Sequence, residues 1–152
     1  MELNTDMNVE VLLVEDSLED VELTRMAIES HTPHFHLHVV NDGMEALKFL
    51  RKINGYKTMP TPDIVLLDLN LPRKDGREVL AEIKMDNELK KIPVIVLTTS
   101  NSEADILACY NNYANCYVTK PVDLESFMEM AKIIEQFWFR VVCLPKKHDQ
   151  SA

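Results

Sequence analysis

Residues 63–76, DIVLLDLNLPRKDG, decide the fold. Ile64, Val65, Leu66 and Leu67 form an unbroken apolar run behind Asp63, with the length and branching of a strand buried on both faces. Asp68 ends the run, and Asp75 with Glu78 three positions later marks the start of a helix, because a capping side chain can take free backbone N–H groups there. Strand, acid and helix in that order form the β-α unit of a parallel sheet.

The unit recurs on both sides. Val9 to Val14, Pro93 to Leu97 and Cys116 to Val118 are further apolar runs of strand length, and Leu37 to Val40 alternates with histidines. Ser17 with Asp20, Asp42 with Glu45, and Ser102 with Asp105 repeat the helix-start pattern, and Asp123 caps the last helix without the matching acid. Five β-α repeats predict an α/β fold, a doubly wound five-stranded parallel sheet with helices on both faces and right-handed crossovers. Residues 1–8 read as an N-terminal tail, 9–140 as the folded domain and 141–152 as a C-terminal extension. Residues 54–62, NGYKTMPTP, read as a surface insertion before the third strand.

Composition narrows the function. The 152 residues suit one domain with a continuous core, and 46% apolar with 27% charged residues sets disorder aside. Sixteen Lys and Arg against 25 Asp and Glu give a net charge of -9, which disfavours nucleic acid and anionic membranes as partners. The longest basic cluster, Lys146-Lys147-His148, reads as a solvated tail. No run reaches the ~20 apolar residues of a membrane span, and no export signal is legible, so the expected location is cytoplasmic. Cys109, Cys116 and Cys143 lack a CxxC arrangement and read as reduced, mostly buried thiols. No glycine-rich phosphate loop is present, so phosphate chemistry must come from side chains.

In an open α/β sheet, ligands bind beyond the carboxyl ends of the strands. The residues there are Glu15 and Asp16, Asp68, Thr98 and Thr99, and Thr119 and Lys120. Carboxylates converging within a few ångströms repel by about 4 kcal/mol per pair at an effective dielectric of 20, and a hard divalent cation relieves this. Mg²⁺ suits one or two carboxylates, a carbonyl and retained waters. Asp16 and Asp68 are the expected direct ligands, with the carbonyl of Asn70 as a third and Glu15 acting through water. A metal, the Lys120 ammonium and the Thr98 hydroxyl around one carboxylate are what phosphoryl transfer to that carboxylate requires, which makes Asp68 the nucleophile.

These residues resemble a response-regulator receiver domain, the CheY-like module phosphorylated by histidine kinases. VLLVEDS carries Glu15 and Asp16, DIVLLDLNLPRKDG carries Asp68, VIVLTTS carries Thr98, and YVTKP carries Lys120. The family's constant separation between switch hydroxyl and lysine selects Thr98 over Thr99. Tyr117 falls on the aromatic position that, in this family, moves inward when the switch threonine turns. Within the family, LPRKDGREVLAEIK, LTTSNSEADIL, NCYVTKPVDLESF and IEQFWFRVVCLP resemble the Rcp-type single-domain response regulators of cyanobacterial phytochromes. The resemblance implies Mg²⁺ as cofactor, a phytochrome histidine kinase as phosphodonor, a homodimer, and output through contact with a downstream protein. Glu15 stands where many receivers have Asp.

The last helix carries two apolar stripes. Leu124, Phe127, Met128, Ala131, Ile134, Trp138 and Val142 suit the sheet at about 100° per residue, and Met130, Ile133 and Phe137 form a second stripe. With Phe139, Val141 and Leu144, the second stripe predicts an exposed patch. Ile133, Phe137, Trp138 and Phe139 are therefore the expected dimer contacts, the alternative being a tail folded back on its own domain. His31, His34, His36 and His38 read as solvent-facing residues at a strand edge, and Asp63 as structural. A phosphohydrolase with an aspartyl nucleophile would resemble a DxD pattern, whereas Asp68 is followed by Leu69 and Asn70. In a flavin carrier of similar topology, Glu15 and Asp16 would repel the phosphate. A receiver-like adaptor that is never phosphorylated is the remaining rival.

Overall fold

The computed structural model describes residues 8–29 and 35–145. Strands β1 (Val9–Val14), β2 (Phe35–Val40), β3 (Ile64–Leu67), β4 (Val94–Thr98) and β5 (Cys116–Thr119) alternate with five helices: α1 (Leu18–Glu29), α2 (Gly43–Arg51), α3 (Gly76–Met85), α4 (Glu103–Asn111) and α5 (Leu124–Glu135). Every strand pair is parallel, in the order β2-β1-β3-β4-β5. This is the predicted doubly wound sheet. The order reverses between β1 and β3, so the crevice for a ligand opens where those two strands end.

Alternate residues of the inner strands feed two cores. Leu12, Val14, Val65, Leu67, Val94 and Val96 meet Ala46 and Leu50 of α2 and Val79, Leu80 and Ile83 of α3. Val11, Leu13, Ile64, Leu66 and Ile95 meet Val21 and Ile28 of α1 and Ile134 of α5. Each buried Val, Leu and Ile among them contributes roughly 1.5–3 kcal/mol, which makes the sheet the fixed frame for whatever sits at its ends. The helices start as the sequence predicts: Asp42, Asp75, Ser102 and Asp123 each accept a backbone N–H of the first turn. Asp63 lies at the far end of the sheet, where it accepts the Glu10 N–H and joins β1 to β3.

The 54–62 segment is more than a surface insertion. Tyr56 and Met59 pack against the α2–α3 core, and the Tyr56 hydroxyl donates to Glu45 Oε2 at 2.5 Å.

The end of α5 corrects the sequence reading. From Gln136 to Val141 the helix widens into a π-helix. Bonding then runs from i to i+5, so the inward position after Ile134 falls at Phe139 rather than Trp138. Phe139 is buried in its own sheet, and so is not an exposed dimer contact. The same widening sets Arg140 beside the buried Glu135, with its Nε donating at 2.9 Å. Trp138, Met130 and Leu144 are half-buried against that core, while Leu124, expected to face the sheet, is exposed. Part of the tail thus folds back on its own domain, leaving Ile133, Phe137 and Val141 exposed.

Cys109 is buried, Cys116 half-buried and Cys143 exposed, all as free thiols. Among the described residues no helix is long and apolar enough to cross a membrane. His31, His34 and the Lys146-Lys147-His148 cluster lie outside the described residues.

Candidate functional site

The sheet ladder runs one residue past β1, β3 and β5, and the candidate side chains stand there or at the end of β4. Glu15 N–H donates to the Val40 carbonyl at 3.0 Å, Asp68 N–H to Val14 at 3.1 Å, and Lys120 N–H to Thr98 at 2.7 Å. Glu15, Asp68, Thr98 and Lys120 are all buried, each at the point where its chain leaves the sheet. Segments as far apart as 105 residues in sequence are thereby brought together.

Lys120 is the hub. Its ammonium donates to Glu15 Oε2 at 2.5 Å, Asp20 Oδ2 at 2.9 Å and Asp68 Oδ2 at 3.1 Å. Burial works against this charge, but the hydrogen bonds to Glu15 and Asp20 and the charge of Asp68 outweigh it and raise the lysine's pKa. Glu15 is pushed the other way from an ordinary ion-pair partner: burial lifts it to about 7, against the lowering pull of Lys120 and of the Ser17 N–H.

Glu15, Asp16 and Asp68 each place a carboxylate oxygen within 4.8 Å of the others, with Asp16 exposed to incoming ions. All-oxygen, acid-rich donors fit a hard divalent cation. Asn70, whose carbonyl is the expected third ligand, has its N–H beside Asp68 Oδ1 at 3.3 Å. The buried Thr98 hydroxyl oxygen has no hydrogen-bond partner among the described residues. Leaving a buried hydroxyl unsatisfied costs about 1–3 kcal/mol, which an incoming oxygen acceptor could recover. Tyr117 packs on the α2–α3 core, and its hydroxyl donates to the Ser100 carbonyl, two residues past Thr98, at 2.8 Å.

Several participants escaped the sequence reading. The sequence pattern places Asp20 in the α1 cap, where the acid reaches back to the cap residue's N–H. The structure gives that N–H to Glu15 Oε1 at 3.0 Å instead, and the Asp20 carboxylate turns to Lys120. The signal was its place in the first turn of the helix that follows Glu15 and Asp16, close in the chain to the end of β1. Arg77 is a second omission: its guanidinium clasps both oxygens of Asp105 at 2.9 and 2.8 Å and also reaches Asp75. The Arg77 hydrogen bonds, followed by that from Ser100, hold Asp105 down at about 2 and tie the starts of α3 and α4 to the turn after Thr98. The third is Glu10, which lies across from β2 and pairs with His36 at 2.9 Å and His38 at 2.7 Å. The parallel register, not sequence spacing, supplies that acid.

Residues 11–132 match the response regulator receiver domain family. The chain is 47% identical to response regulator Rcp1 of Synechocystis over 135 residues, 89% of this chain and 92% of that protein. It superposes on the phosphorylated cyanobacterial phytochrome response regulator RcpA with a TM-score of 0.90 and 46% identity, covering 92% of this chain and all of the other (100%). With the Mn²⁺-bound form of Rcp1 the TM-score is 0.88 at 46% identity, over 91% of this chain and 99% of that one. The family match takes in β2 to β5 whole, β1 from Val11 onward, and every acid gathered around Lys120. The chain belongs to the response regulator receiver family.

Proposed function

We propose that Asp68 is the phosphoacceptor of this receiver, that the donor is a sensor histidine kinase of the phytochrome type, and that Mg²⁺ is the working metal. The observation that carries the reading is Lys120: a buried ammonium fixed on Asp68, one ladder bond from the unpartnered Thr98 hydroxyl. A carboxylate oxygen of Asp68 attacks the phosphorus as the bond to the donor nitrogen breaks, and that nitrogen leaves with the electron pair. The product is an acyl phosphate. Lys120 and Thr98 donate to the phosphoryl oxygens, which supplies positioning and charge stabilisation. Asp16 and Asp68 would hold the metal directly, with the Asn70 carbonyl and with Glu15 through water, and the chemistry it would supply is neutralisation of phosphoryl charge. Thr98 then turns toward the phosphoryl group, Tyr117 repacks, and the surface of α4, β5 and α5 changes its affinity for a downstream protein. In this reading the protein catalyses only its own phosphorylation and dephosphorylation and works in the cytoplasm.

Acetyl phosphate with Mg²⁺ is expected to add one hydroxylamine-labile phosphoryl mass to the pure protein, and none to Asp68→Asn. Mass spectrometry of the intact chain checks this. An adduct on Asp68→Asn moves the acceptor elsewhere, and no adduct on the wild type favours the adaptor.

We further propose that the receiver, residues 9–140, pairs with a second copy through α5 and the 141–152 extension. Ile133, Phe137 and Val141 form an exposed apolar row, and Phe137 stands edge-on to the half-buried Trp138 with ring centres 5.7 Å apart. Phe137 and Trp138 make suitable anchors. Replacing both Ile133 and Phe137 by Glu is expected to give a monomer at concentrations where the wild type sediments as a dimer. A wild type that stays monomeric, or a variant that stays dimeric, removes this face from the interface.

A further inference from the structure

We propose that Asp20 is a positioning residue, one that keeps the Lys120 ammonium over Asp68 while the metal and the phosphoryl group draw on Glu15 and Asp68. The inference rests on Asp68 being the phosphoacceptor. An ammonium has three N–H donors, and each of the three meets a different carboxylate here, at 2.5, 2.9 and 3.1 Å. Two of those partners, Glu15 and Asp68, belong with Asp16 to the carboxylate group that can hold a cation, and Asp20 does not. A cation placed in that group offsets the charge of Glu15 and Asp68 and repels Lys120, loosening both bonds together. The bond to Asp20 is the one that such a cation leaves in place.

Asp20 is also built for the task. It lies in the first turn of α1, with its N–H on Ser17 Oγ at 3.3 Å and its carbonyl taken by the Thr24 hydroxyl at 2.7 Å. Because Glu15 satisfies the Ser17 N–H, the Asp20 carboxylate carries no capping duty. A flexible surface ion pair is the competing explanation, but the Lys120 side chain is only 4% exposed. Its ammonium is nearly closed off from bulk solvent, so a lost partner is costly to replace.

The test uses the full chain as wild type, Asp20→Asn, Asp20→Ala and Asp20→Glu. Four quantities are followed: the rate of adduct formation from acetyl phosphate at saturating Mg²⁺, Mn²⁺ affinity by electron paramagnetic resonance, binding of beryllofluoride by ¹⁹F NMR, and the thermal midpoint. Loss of one charge-assisted hydrogen bond is expected to slow adduct formation by about tenfold in the Asn and Ala variants and to weaken beryllofluoride binding in parallel. Mn²⁺ affinity is expected to stay within about threefold, since Asp20 lies outside the cation group, and Asp20→Glu restores part of the rate. Adduct formation that is unchanged or faster in Asp20→Ala overturns the proposal. So does a loss of Mn²⁺ affinity as large as the loss of rate, which would mean that Asp20 acts through the metal. A wild type that takes no phosphoryl group overturns the phosphoacceptor reading itself, and the role of Asp20 falls with it.

Discussion

Lys120→Met loses about 3–5 kcal/mol of folding stability in metal-free buffer, the range for removing one partner of a buried ion pair. Methionine fills much the same space, so the loss is electrostatic rather than a cavity. What remains is Glu15, Asp20 and Asp68, all within reach of where the ammonium stood, with Asp16 alongside. Against a typical total of 5–15 kcal/mol this places the variant near unfolding. Two conditions should rescue it. Millimolar Mg²⁺ supplies the missing positive charge and stabilises in proportion to its occupancy of the native state alone. Acid supplies protons: the Glu15 pKa in the folded protein, about 7, lies above its ordinary 4.5, so the native state binds the extra proton. With Lys120 in place that contribution is fully present below pH 4.5 and is lost as the pH rises through 7; without the lysine's lowering pull Glu15 rises further, so the variant keeps its contribution to higher pH and its deficit should narrow as the pH falls towards and through 7. Urea unfolding with EDTA or Mg²⁺ at pH 5.5 and 7.5 measures all three effects. A deficit under 1 kcal/mol that ignores both metal and pH would show that the carboxylates do not need Lys120.

Gly76→Ala is the second large effect, and its sign opposes helix propensity. Alanine is favoured over glycine inside a helix by about 1 kcal/mol. At this position a Cβ would lie 2.1 Å from the Asp68 carbonyl oxygen and 2.6 Å from Leu69 Cα. Both obstacles are backbone, and no rotamer change can clear them. The start of α3 must lift away, taking with it the 2.8 Å bond from Gly76 N–H to the Leu69 carbonyl. Overpacking of this kind costs about 3 kcal/mol, so the net change is a loss. The displaced peptide belongs to Asp68, so adduct formation from acetyl phosphate should slow as well. A variant as stable and as readily modified as the wild type would mean that the loop after β3 adapts freely.

The sheet and most of the site were legible because the pattern and the chemistry coincide. Apolar runs mark strands, the residues after them must share one edge, and Glu15, Asp68, Thr98 and Lys120 are those residues. Elsewhere the governing contact was invisible to local pattern. Asp20 looked like a capping acid because nothing local reveals that Glu15 takes the cap N–H. Phe139 was placed outside because a stripe drawn at α-helical spacing has no means of anticipating a π turn. Glu10 and Arg77 find their partners across a strand pair and between two helices, 26 and 28 residues away. Tyr56 looked like loop because its anchor, Glu45, sits one element back.

The 105-residue span between Glu15 and Lys120 has a consequence for synthesis. A nascent chain reaches β4 with its acids already in place, yet the lysine that reconciles them belongs to the last strand's end. Until β5 docks, the edge that gathers Glu15, Asp16 and Asp68 is a knot of like charge, and contacts so distant in sequence form late. Charge balance at the site and completion of the fold therefore arrive in a single event, and an unfinished chain holds its acids unreconciled.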